Sequence, residues 1–147
     1  MDLNTTRKKN NLEHRLQSEA FLAFDKRHPE LRGRLFATFQ ETTSPIQGSQ
    51  MNSMGLIRGV SDMIFSDNGE MVGIEWKAPE TQHKVSHLME QAHWLMKNTK
   101  RGYFCDSIEM FWDIIYGGSG IDPKIVFEYC SNVKKSQIIW KSELFKK

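Results

Sequence analysis

The feature that most constrains this chain is Asn68-Gly69, set between two runs in which apolar side chains recur. Such a dipeptide supplies the two positive-φ positions of a tight hairpin turn, so it joins antiparallel neighbours and fixes their register. The flanking runs, near 58–65 and 70–76, are therefore expected to pair as strands with Asp67 opposite Glu70. Counting back along that ladder sets Asp62 opposite Glu75. Side-chain alternation brings Lys77 to the same face as Glu75, about 7 Å further along. Two carboxylates facing each other across a strand pair repel, and a divalent metal ion with oxygen ligands answers that repulsion. Lys77 adds a second positive charge. The alternative is a pair of surface strands with a charged outer face, and spacing alone leaves both readings open.

The remaining periodicities surround this hairpin. Leu12, Leu16, Ala20, Ala23 and Phe24 recur at helical spacing, and His28-Pro29 ends that helix, because a residue before proline avoids the helical conformation. Residues 35–39 read as a short strand, and 40–53, rich in Ser, Thr, Gln, Pro and Gly, as a loop. A second helix spans about 81–97, with an apolar stripe of Val85, Leu88, Met89, Ala92, Leu95 and Met96. A strand at 102–105, a helix at 107–115 capped by Ser107, a glycine loop at 117–120 and a last strand at 125–129 complete the reading. Helix, three strands, helix and strand in this order imply an α/β chain with a mixed central sheet flanked by helices.

The 147 residues fit a single domain over 11–147, preceded by a flexible basic arm over 1–10. No apolar run approaches the length of a membrane span, the polar start lacks a signal peptide's apolar core, and Cys105 and Cys130 have no metal-type spacing. A cytoplasmic protein without membrane contact is expected. The net charge of +2 is slight, but basic residues cluster at Arg7, Lys8 and Lys9, at Lys97, Lys100 and Arg101, and at Lys134, Lys135, Lys141, Lys146 and Lys147. Such clusters are able to neutralise phosphates. A solvated surface balanced by 18 acidic residues explains the charge equally well.

Phosphodiester hydrolysis needs the residue types found on the hairpin. A metal ion polarises the phosphoryl oxygen and lowers the pKa of an attacking water. Asp62 and Glu75 are the candidate ligands, with the backbone carbonyl of Trp76 as a third. Lys77 is the candidate to orient or help deprotonate the water and to offset charge in the transition state. Glu19, at the border of the first helix's apolar stripe, is a candidate to reach the metal directly or through water. Gln91, flanking the second stripe, is a candidate to hold the water or a phosphate oxygen. Each of these two also reads as an ordinary polar border residue.

Gly59-Val60-Ser61-Asp62, Ile74-Glu75-Trp76-Lys77 and Glu90-Gln91, preceded by Ser18-Glu19 on a helix, resemble the motifs of the VRR-NUC domain, a family of the PD-(D/E)XK nuclease superfamily. The resemblance covers about residues 12–115 and implies a restriction-endonuclease-like fold, a Mg²⁺ or Mn²⁺ cofactor and phosphodiester hydrolysis. It makes Asp62 and Glu75 metal ligands and Lys77 catalytic, with Glu19 and Gln91 supporting the site. Small stand-alone members resemble phage-encoded structure-specific nucleases, some of them dimeric Holliday-junction resolvases. The expected function is thus a metal-dependent endonuclease acting on branched DNA, working as a homodimer. Ser61 stands where the superfamily name carries Pro, and the tail after Gly117 has no place in the family core. A non-catalytic nucleic-acid-binding module and a restriction-type nuclease are the alternatives; no recognition domain is left over for the latter.

Three further signals are set aside. His83 and His87, four residues apart on the expected helix, lack a third ligand and read as a solvent-facing pair or a contact to DNA phosphates. Trp94 lies opposite the apolar stripe, as a dimer or base-stacking contact or as a side chain covered by the tail. The glycines at 117–120 lack a P-loop's lysine and spacing, so no nucleotide cofactor is expected.

Overall fold

The computed structural model describes residues 3–38, 44–55, 57 and 59–146, with residues 3–10 described as backbone only. Helix α1 (Leu3–Arg27) is followed by strand β1 (Leu35–Ala37), helix α2 (Pro45–Ser53), strands β2 (Met63–Asp67), β3 (Glu70–Trp76) and β4 (Gln82–Lys84), helix α3 (Val85–Asn98), strand β5 (Arg101–Cys105), helices α4 (Ile108–Ile115) and α5 (Pro123–Asn132), and strand β6 (Gln137–Ile139). The chain is mixed α/β. Its main sheet has the order β1-β2-β3-β5, antiparallel except for the parallel pair β3 and β5, and β4 and β6 form a second, two-stranded sheet. Parallel neighbours need a long crossover, and α3 supplies it.

The hairpin register is the one the turn dictates: Asp67 pairs with Glu70 and Met63 with Ile74. Asn68 and Gly69 both adopt positive φ, 52° and 87°. Alternation then sorts β3 between two cores. Val72, Ile74 and Trp76 join Ala20, Phe24, Phe65, Cys105 and Phe111 beneath α1 and α4. Gly73, Glu75 and Lys77 turn the other way, toward α3, whose Val85, Leu88, Ala92 and Leu95 form the second core with Val126, Cys130 and Trp140. The two free cysteines are buried, one in each core.

Several expectations change. Helix α1 begins at Leu3, within the stretch expected as an arm. The segment expected as a loop from 40 holds α2, started by Ser44, whose hydroxyl accepts from the Gln47 N–H at 3.1 Å, and by proline in the first turn; residues 39–43 lie outside the described residues. Residues 125–129 form part of α5 and not a strand. Asp122 caps that helix by accepting from the Lys124 N–H at 2.9 Å, Pro123 opens it, and Pro123, Val126 and Cys130 are its buried stripe. The β-favouring run Ile125-Val126-Phe127 gave way to a capped start and helical spacing of the buried positions. The second helix begins at Val85, because residues 82–84 pair with β6, a strand absent from the expectation. Among the described residues no helix is long and apolar enough to cross a membrane.

Candidate active site

The strand pairing stops where the acidic residues begin. β2 starts at Met63, so Asp62 stands just outside the strand. Its N–H donates to Glu75 Oε2 at 3.0 Å and its carbonyl accepts from the Thr38 N–H at 3.0 Å. In return, Asp62 Oδ2 accepts from the Trp76 N–H at 2.8 Å. Beyond the last ladder pair, two side-chain carboxylates thus accept the backbone N–H groups. The Thr38 hydroxyl donates to the Ser61 carbonyl, and the Ser61 hydroxyl to the Met63 carbonyl at 3.0 Å. These bonds hold the approach to β2 from both sides.

Glu75 and Lys77 are 3% and 4% exposed, which rules out a solvated charged face. Lys77 Nζ lies 3.3 Å from Glu75 Oε1, and Gln91 Nε2, from α3, donates to the same oxygen at 2.7 Å. The Gln91 Oε1 atom is buried without a hydrogen-bond partner. Burial pushes the Glu75 carboxyl pKa well up, and the negative charge of Asp62 adds to the rise. Burial likewise raises Asp62, with Lys77 and the Trp76 N–H opposing it. Burial alone lowers Lys77, but Glu75, Glu13 and Asp62 together bring it above its ordinary value. Lys77 is therefore held as a cation among carboxylates that resist full ionisation.

The structure brings Asp62, Glu75, Trp76, Lys77 and Gln91 together at the carboxyl end of β3. It does not bring Glu19, which is exposed on α1. Glu19 follows Leu16 by three residues but precedes the fully buried Ala20 by one, about 100° around the helix. On the same helix Glu13 lies 3.5 Å from His83 Nε2, and its negative charge raises the pKa of both Glu75 and Lys77. The signal for it was available: 13, 16, 20 and 24 continue one stripe at spacings of three, four and four.

His83 also differs from expectation. It is 5% exposed on β4, apart from the exposed His87 on α3. Trp94 is half-buried against the core shared by α3 and α5. Arg101, expected in a basic cluster, turns its guanidinium to the Ile114 and Gly118 carbonyls and lies 3.5 Å from Asp67.

As a holder of a cation, the site offers two facing carboxylates, and the Trp76 N–H points toward Asp62, which sets the Trp76 carbonyl on the same edge. Among the described residues no group of three or more His, Cys, Asp or Glu side chains is arranged around one point. The donor set therefore fits a hard, oxygen-preferring ion of the Mg²⁺ type, which uses one or two carboxylates and completes its shell with carbonyl, water and phosphate oxygens. It does not fit an all-side-chain zinc cage. Comparison with protein-family models, with curated proteins and with solved structures finds no match to this chain.

Proposed function

We propose that this chain is a metal-dependent endonuclease of restriction-endonuclease-like fold, hydrolysing phosphodiester bonds in DNA. The observation that carries the reading is the buried set of Asp62, Glu75 and Lys77 on one strand end, with Gln91 bonded to Glu75. Burying such charges costs free energy that a merely structural strand end avoids with apolar residues. Strongly perturbed ionisable groups gathered at a sheet's carboxyl end mark a reactive site.

Asp62 and Glu75 would hold a Mg²⁺ or Mn²⁺ ion, with the Trp76 carbonyl beside them. The ion supplies Lewis acidity toward the phosphoryl oxygen and toward the attacking water. Lys77, kept protonated by its acidic neighbours, offsets negative charge developing on the phosphate and is not the group that takes the water's proton. Gln91 fixes Glu75 through its amide N–H and leaves Oε1 free to accept a hydrogen bond from water. We further propose branched DNA as the preferred substrate and a homodimer as the working form. The deciding experiment incubates labelled four-way junctions, flaps, duplexes and single strands with Mg²⁺ or Mn²⁺. Cleavage that chelation and Glu75→Ala both abolish is expected; cleavage surviving both refutes the reading.

A further inference from the structure

We propose that Tyr116, the outermost of three near-parallel rings, is a docking point for an unpaired base of single-stranded DNA. The inference rests on the reading of DNA as substrate. It adds a contact outside the cleavage site, one that favours forks and flaps over continuous duplex.

Phe24, Trp112 and Tyr116 stack in turn, at 22° and 18°, with centroids 6.4 and 5.5 Å apart. The series runs from core to solvent: Phe24 is 1% exposed, Trp112 half-buried and Tyr116 59% exposed. Trp112 and Tyr116 are four residues apart, so they share one face of α4 as that helix ends. The Tyr116 hydroxyl lies 2.9 Å from His28 Nε2, and the imidazole meets the phenol edge-on, centroids 5.8 Å apart at 77°. Trp112 and His28 are its ring contacts among the described residues. The ring is therefore held in one orientation before any ligand arrives, which lowers the ordering cost of binding. A planar base gains by stacking on such a ring whatever its identity.

The surroundings complement a phosphate chain. Arg27 sets its guanidinium 4.2 Å from the Trp112 ring centroid. Lys26, Arg27, Arg32 and Arg34 are exposed on the segment that His28 ties to the stack. Arg32 pairs with Asp25 at 3.6 Å and Glu30 lies 3.2 Å from His28, whereas Lys26, Arg27 and Arg34 form no ion pair among the described residues. Against these cations, the last turn of α4 carries the acidic Asp113. Exposed rings beside cations hold single strands without reading sequence, whereas a duplex keeps its base faces stacked inside and presents phosphates. The Arg101 guanidinium, at the start of β5, donates to the Ile114 and Gly118 carbonyls, and the Lys77 N–H donates to the Cys105 carbonyl at the other end of that strand. The stack and the cleavage site thus lie one strand length apart, roughly 15 Å along the sheet, on its α1 and α3 sides. With one arm of a branched DNA in the site, it is the unpaired bases of another arm that reach Tyr116.

The test is fluorescence anisotropy of labelled oligodeoxythymidylate, and of a duplex of equal length, with Ca²⁺ in place of Mg²⁺. The wild type, Tyr116→Ala and Tyr116→Phe are compared, with a melting curve for each. Tyr116→Ala is expected to weaken single-strand binding by about tenfold, as the loss of one stacked base does, and to leave duplex binding unchanged. Tyr116→Phe keeps the ring and should retain most of the affinity. Tyr116→Leu keeps apolar bulk without a planar ring; it should lose as much as alanine, and it carries the test if the alanine variant does not fold. Three results each overturn this inference alone: single-strand affinity equal in wild type and Tyr116→Ala, equal losses on single strand and duplex, or a phenylalanine variant as weak as the alanine one. A wild type that binds neither single strands, duplex nor a four-way junction overturns the DNA reading, and this contact with it.

Discussion

Glu75 meets opposing demands: burial and Asp62 resist its ionisation, while Lys77, Gln91 and the Asp62 N–H donate to its oxygens. The consequence for stability has a definite sign. The unfolded chain releases this proton near the ordinary value of 4.5, whereas the folded chain keeps it to higher pH. Between those values the folded state holds the extra proton, so metal-free stability falls as pH rises through that window. Glu75→Gln should flatten the fall and leave the metal-free melting temperature at pH 8 equal to or above that of the wild type, while cleavage drops to background. Thermal melts across pH check this; lower stability at pH 8 with cleavage retained would refute it. Lys77→Ala acts the other way. Removing the cation bonded to Glu75 should cost about 3 kcal/mol without metal, and cleavage should slow by about 10²- to 10³-fold. Mn²⁺ affinity should persist, because a lysine is not a ligand; its disappearance in calorimetry would show that the role is misassigned.

Elements differ in how far their own residues determine them. The hairpin, α3, β5 and α4 carry local signals: a positive-φ turn, an apolar stripe, a serine cap accepting from the Met110 N–H. The β4 and β6 pairing joins Gln82 to Ile139 and Lys84 to Gln137, far apart in the chain, and the Gln82 amide donates to the Gln137 side-chain oxygen. No periodicity in either three-residue run announces it. Two glycines separate turn-making from site-making. Gly69 forms the turn at the far end of the hairpin, with open space around it, so Gly69→Ala should cost about 1–2 kcal/mol and leave kcat/KM unchanged. Gly59 combines φ +82° with a backbone approach that would bring a Cβ to 3.3 Å from the Glu90 carbonyl oxygen. Gly59→Ala should cost about 1–3 kcal/mol and lower kcat/KM as well, because the strain sits three residues from Asp62 and next to Gln91. Denaturant melts with steady-state kinetics separate the two; equal activity losses would reject the distinction.

At the scale of the molecule, the proposed substrate and assembly go together. Resolving a branched DNA requires two coordinated cuts, and a two-fold pair of identical chains supplies them. Lys97 and Lys100 are exposed and available to phosphates, whereas Arg101 is held by carbonyls and Asp67. The expected result is a dimer by light scattering, branched DNA cut faster than linear duplex, and affinity that falls steeply with added salt. A strict monomer cutting linear and branched DNA alike would remove the branched-DNA proposal and leave the nuclease reading standing.

The sequence by itself determined the hairpin, its register and hence the convergence of Asp62, Glu75 and Lys77, because a two-residue turn and side-chain alternation are local rules. It also placed Gln91 on the helix that crosses behind them. Only the tertiary structure decided whether that charged face was buried. Only it showed Glu19 exposed, since the rotation of α1 is set by what Ala20 and Phe24 pack against. The burial of His83 was equally hidden, because it depends on a strand and an indole more than fifty residues further along the chain.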